Sequence, residues 1–160
     1  MFTITSFKGL HMRSKAILCV VAAAFVSFAE LSVQPSVTYH GRQCIKITTP
    51  WSTLYFEDHN GSSGFKGVVD RQGKDWLQAG YGWGSNPQWR GFPNATDGNF
   101  GHASRPSGST NTVTKEDPDH VIINSKNSAM EFNYHFFPTH GAIEVIRANR
   151  SYCFLWEGTT

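Results

Sequence analysis

Few of the features that announce a chemistry occur in this chain. It has three cysteines in 160 residues, too few for a disulfide-dense scaffold. Cys44 and Cys153 have no cysteine at zinc-ligand spacing, and none of the seven histidines forms an H-x-x-x-H pair, so no metal centre is implied. Charged residues are sparse at 16%, the formal net charge is only +2, and Lys and Arg do not cluster beyond the N-terminal segment. A nucleic-acid partner held by phosphate neutralisation is therefore not expected. There is no G-x-S-x-G, no phosphate-cradling glycine loop ahead of a helix and no Cys–His dyad signature, so no cofactor is expected either. A 3.6-residue apolar period is missing from residues 30–160. What is present instead is aromatic side chains, 14% of the chain, set among 15 glycines, a composition of loop-rich all-β proteins.

The first 29 residues read as an export signal. Lys8, His11, Arg13 and Lys15 precede an apolar run at residues 16–28, and Ser27-Phe28-Ala29 supplies small residues at the −3 and −1 positions of a cleavage site. That run is short for a bilayer span and has no charged stop beyond it. A mature start at Glu30 follows, and Met12 offers an alternative first residue with a tidier signal. The expected location is secreted or periplasmic, with no membrane attachment after cleavage. An oxidising compartment permits a Cys44–Cys153 bridge, typically worth about 2–4 kcal/mol, while two separate buried thiols in neighbouring strands fit equally well.

Residues 30–160 read as one domain of short strands and turns. Strands are expected at 44–48, 53–57, 65–69, 112–115, 120–124, 129–137, 142–147 and 152–156, with turns at 58–64, 70–73, 116–119 and 138–141. The clearest is 129–137. Met130, Phe132, Tyr134 and Phe136 fall on one face, and Glu131, Asn133 and His135 on the other, because successive strand side chains point oppositely. Ile143 and Val145 extend the apolar face, leaving Glu144 on the polar side. Hairpins at this spacing predict an antiparallel β-sandwich with one wet face. The apolar strand 152–156 reaches Gly158-Thr159-Thr160 with nothing further to pair with, which points to a sandwich truncated at its C-terminus.

The stretch 81–102 stands apart. It carries Tyr81, Trp83, Trp89, Phe92 and Phe100 among glycines and prolines, beside polar groups such as Asn86, Arg90, Asn94 and His102. Flat apolar faces next to donors and acceptors suit a ligand loop. A long ordered loop that plugs the end of a core is the plainer alternative.

Residues 53–160 resemble the N-terminal half of a group of secreted proteins related to the galactose-mutarotase-like β-sandwich of carbohydrate-active enzymes. The resemblance rests on Tyr55-Phe56-Glu57 before a Gly-rich turn, and on Gly64-Phe65 leading through Val69-Asp70-Arg71-Gln72-Gly73 to Asp75-Trp76. It continues with Trp89-Arg90-Gly91-Phe92-Pro93-Asn94, Phe100 and His102, and Tyr152-Cys153-Phe154-Leu155-Trp156-Glu157-Gly158-Thr159. In that group Phe and His adjoin, whereas Gly101 separates Phe100 from His102 here. The resemblance implies a mutarotase-like sandwich and sugar chemistry, though a fold does not fix a function.

Ligand contact is expected from Trp83, Trp89, Arg90 and Asn94, with Arg90 offering a fixed fork of donors. The alternative for Arg90 is stacking on Trp89 and pairing with Asp97. The catalytic candidates are His102, as a neutral-pH acid or base, and His135 with Glu144 and Glu131 on the wet side of a hairpin. A hydrogen-bonded loop histidine and an ordinary cross-strand pair are the competing readings. Glu57, Asp58 and His59 form a further acid–base cluster or a solvated strand end. Two function classes fit. One is a secreted carbohydrate-active protein binding or processing a polysaccharide or oligosaccharide; the other is a non-catalytic adhesion or structural β-sandwich. The sequence leaves open whether the protein is an enzyme.

Overall fold

A computed structural model describes residues 31–77, 100–103 and 106–154. The export signal, most of the aromatic loop and the final strand's end lie outside these residues. The described chain is all-β. Strands β1 (Ser32–Tyr39), β2 (Arg42–Thr48), β3 (Ser52–Glu57) and β4 (Phe65–Asp70) form one antiparallel sheet in sequence order. Strands β5 (Thr110–Asp117), β6 (His120–Lys126), β7 (Met130–Phe136) and β8 (Gly141–Ala148) form a second, also in sequence order.

The two sheets share one core. From the first come Ile45, Ile47, Phe56 and Phe65; from the second Val121, Ile123, Met130, Phe132, Tyr134 and Phe136. Each large apolar side chain buried this way contributes roughly 1.5–3 kcal/mol. The aromatic rings cross between sheets edge to face, Phe56 to Tyr134 at 4.8 Å and Phe65 to Phe136 at 6.0 Å. Strand β7 alternates buried and half-buried along its whole length, as its period of two requires. Asn111 ties the sheets at one end: its side-chain N–H groups donate to Asp58 Oδ1 at 3.0 Å and to the Ser62 carbonyl at 2.8 Å.

Three expectations need correction. Strand β1 is not among the expected strands, because Pro35 interrupts it; the structure accommodates the proline with a register shift between Gln34 and Val37 and a positive φ of 60° at Ser36. Of the expected strand at 152–156, only residues 152–154 are described, and they carry a single bridge position at Cys153, with Tyr152 and Phe154 exposed beside the core ring of Phe132. Nor is the face of the first sheet opposite the core wet throughout. Cys44 and Glu57, cross-strand partners on that face, are fully buried, and so is Lys66. Desolvation pushes the Lys66 amine down to about 8, against the pull of the Glu57 carboxylate, and pushes the Cys44 thiol up to about 12. Both Cys44 and Cys153 are free thiols, one buried and one exposed, so the bridged reading is set aside.

Candidate functional site

Trp83, Trp89, Arg90 and Asn94 all lie within residues 78–99, outside the described residues. His102 lies just past them. It is half-buried between fully buried Phe100 and Ala103, and its Nδ1–H donates to the Ala103 carbonyl at 2.9 Å. The Glu57, Asp58 and His59 cluster disperses: Glu57 is buried, Asp58 accepts from Asn111, and the His59 ring meets Asn60 on the turn.

The hairpin β7–β8 does bring His135 and Glu144 together. Asn133 pairs with Glu144 across the ladder, and His135 Nε2 lies 3.2 Å from Glu144 Oε2. The bonds continue in one direction. Glu144 accepts from His135 Nε2–H, so the neutral ring presents Nδ1 as an acceptor to His120 Nε2–H at 3.0 Å. His120 Nδ1 then accepts from the Lys115 ammonium at 2.9 Å, and Lys115 also pairs with Asp117 at 3.1 Å. Hydrogen bonds from Asn133 and His135 hold the Glu144 carboxyl below its ordinary value. Partial desolvation, the Lys115 charge and the neighbouring His135 hold His120 down. Glu131 sits at the far end, accepting from Asn124 at 3.2 Å. All four ring nitrogens are engaged, so neither imidazole has one to spare for a substrate proton. His120 and Lys115 escaped the sequence reading, because their approach depends on the β5–β6 turn closing over Pro118 and Asp119 alone.

A second feature is carried by two tryptophans at one rim of the first sheet. Trp51 follows Pro50 in the β2–β3 turn, where Thr49 Oγ1 accepts from the N–H groups of Trp51 at 3.1 Å and Ser52 at 3.0 Å. The ring is 56% exposed. Register pairing of Ser52 with Asp70 sets Arg71 beside it, with the guanidinium 4.3 Å from the indole centroid and Nε–H donating to the Pro50 carbonyl. Asp70 organises the following turn. Its Oδ1 accepts from the backbone N–H groups of Gln72 and Lys74, each at 2.9 Å, and its Oδ2 accepts from the Trp76 indole at 2.9 Å. Desolvation opposes ionisation there, but these donors outweigh it and hold the carboxyl below its ordinary value. Trp76, 40% exposed, is capped by Lys74 with Nζ 4.1 Å from the ring centroid. Trp51, Arg71, Asp70 and Trp76 thus form one continuous chain of contacts.

Beside Trp51 a cleft of about 300 Å³ opens between the sheets. Leu54 and Val68 wall it from the first sheet, Phe137 and His140 from the β7–β8 turn. Phe137 stacks between His120 at 4.3 Å and His140 at 4.6 Å, so the histidine chain supports one wall of the cleft. Trp51 carried no periodic signal; the clue was a tryptophan straight after a proline in a turn, where no core face is within reach. No known protein family, curated protein or solved structure matches the chain.

Proposed function

We propose that this is a secreted carbohydrate-binding domain that holds a polysaccharide or oligosaccharide on the aromatic rim at Trp51 and Trp76. The observation that carries the reading is the pair of exposed indoles, each fixed in place by the turn between 70 and 76. Sugar rings present apolar C–H faces that suit a flat indole, while their edges need hydrogen bonds. Arg71, Gln72 and Lys74, all exposed, supply donors at the same rim. Trp83, Trp89, Arg90 and Asn94 belong to the same proposal as a second contact surface, and the resemblance to mutarotase-like sandwiches supports it. Binding is favoured over processing because the His135–Glu144 pair is closed by His120 and Lys115.

Affinity electrophoresis against a panel of neutral and acidic polysaccharides tests the proposal. Trp51→Ala and Trp76→Ala should each weaken retention several-fold, and their melting midpoints should stay within a few degrees of the parent, since neither ring is in the core. Unchanged retention in the double variant would return the domain to the adhesion or structural class.

A further inference from the structure

We infer that the glycan held on this rim is acidic, a uronate-bearing polymer whose carboxylates meet Arg71 and Lys74; the inference rests on the sugar-binding reading above. It comes from how the charges of the turn are used. The turn contains two acids and two cations, and the acids, half-buried, engage their oxygens around the turn while the cations stay exposed. Asp70 spends its oxygens on Gln72 N–H, Lys74 N–H and the Trp76 indole. Asp75 accepts from the Val68 and Leu77 backbone N–H groups at 3.1 and 3.0 Å through Oδ1, and from the Tyr39 hydroxyl at 2.9 Å through Oδ2. Both cations are exposed, and neither forms an ion pair with a described carboxylate.

The outermost charges of the rim are therefore the two cations, while Asp70 and Asp75 engage their carboxylate oxygens in hydrogen bonds around the turn. Arg71 uses Nε–H on the Pro50 carbonyl, which fixes the guanidinium plane and leaves its two terminal NH2 groups for a carboxylate fork. Lys74 stands over the second indole as a point charge. Each cation covers part of a ring, and at 56% and 40% exposure both rings keep open surface for a sugar face. A neutral glycan would need the rings and the donors but gain nothing from the charges of the two exposed cations, one of which, Lys74, acts on a neighbouring carboxylate, that of Asp70. An acidic one uses both, with stacking and charge pairing at the same residues.

The test compares polygalacturonate with its fully methyl-esterified form, two polymers of one backbone that differ in charge, with polyglutamate as an anionic polymer without sugar. At low salt the acid form should be retained about tenfold more strongly than the ester, as expected for two exposed charge contacts, and the gap should close at high salt. Arg71→Gln with Lys74→Gln should bring the acid down to the ester's level, Arg71→Lys should restore part of the difference, and Trp51→Ala should weaken both forms. Melting curves on the same variants check that the rim is still folded. Equal retention of acid and ester overturns the inference and leaves the sugar reading standing. Polyglutamate held as strongly as polygalacturonate overturns it as well, since charge alone would then suffice. If neither sugar polymer is retained, the sugar-binding reading falls and this inference with it.

Discussion

Replacing Gly64 by alanine tests how the first sheet closes against residues 100–103. Gly64 sits at φ 98°, and a Cβ there would lie 2.0 Å from the Gly101 carbonyl oxygen and 2.5 Å from its carbon. The oxygen belongs to backbone, so no side chain can rotate away. Gly101 is itself held by its N–H bond to Ser63 Oγ at 2.9 Å, and neighbouring Phe100 packs on Phe132 at 5.0 Å. Gly73 provides the control, because its φ of 84° is similar but nothing lies within 4 Å of its added Cβ. The positive φ costs an alanine roughly 1–2 kcal/mol at either site. Forcing the backbones apart at Gly64 adds about 1–3 kcal/mol of overpacking and endangers the Ser63 bond besides. Gly64→Ala should therefore lose about 3–5 kcal/mol, a large share of a typical domain's 5–15 kcal/mol, and Gly73→Ala only about 1–2. Urea unfolding of both variants under identical conditions gives the comparison. Equal, small losses would mean that Gly64 does not lie against Gly101, and the docking of residues 100–103 would be wrong.

Two further expectations concern titratable groups. A maleimide should label exposed Cys153 in the native protein and leave Cys44 untouched until denaturant is added, because Cys44 is buried and its thiol is pushed up to about 12; rapid native labelling of both would contradict that burial. Stability should fall as pH drops below 6.5, because His120 is held below its ordinary 6.5 when folded, so the unfolded chain takes up the proton first. Glu144, held below its ordinary 4.5, keeps its contribution above that pH and loses it below. His120→Gln should flatten the first part of the acid limb of a urea-midpoint profile, and an unaltered slope would remove His120 as its cause.

What could be read from sequence follows from the range of the forces involved. Strand β7 was legible because Met130, Phe132, Tyr134 and Phe136 repeat every second residue, and the short turn after it made the meeting of His135 with Glu144 legible too. His120 reaches His135 only through the β6–β7 register, in which Ile122 and not His120 is the direct partner of His135, and no local pattern contains that register. Strand β1 was hidden by Pro35, which a strand tolerates at an edge, the position β1 occupies among the described strands. Glu57 looked like a solvated strand end because a local pattern does not report burial of a carboxylate, and here it is buried together with its cross-strand partner Cys44 and with Lys66. Trp51 and Trp76 belong to turns, where periodicity says nothing about which side chain is left outside.

The central claim, that Trp51 and Trp76 contact sugar, is tested most directly by the indole N–H signals of the chain's five tryptophans in a protein labelled with nitrogen-15 at tryptophan. Each signal is assigned by a single Trp→Phe substitution, and polygalacturonate is then titrated in. The account predicts that the Trp51 and Trp76 signals shift together and saturate at a common ligand concentration. Both signals holding still while the polysaccharide is demonstrably bound would contradict it.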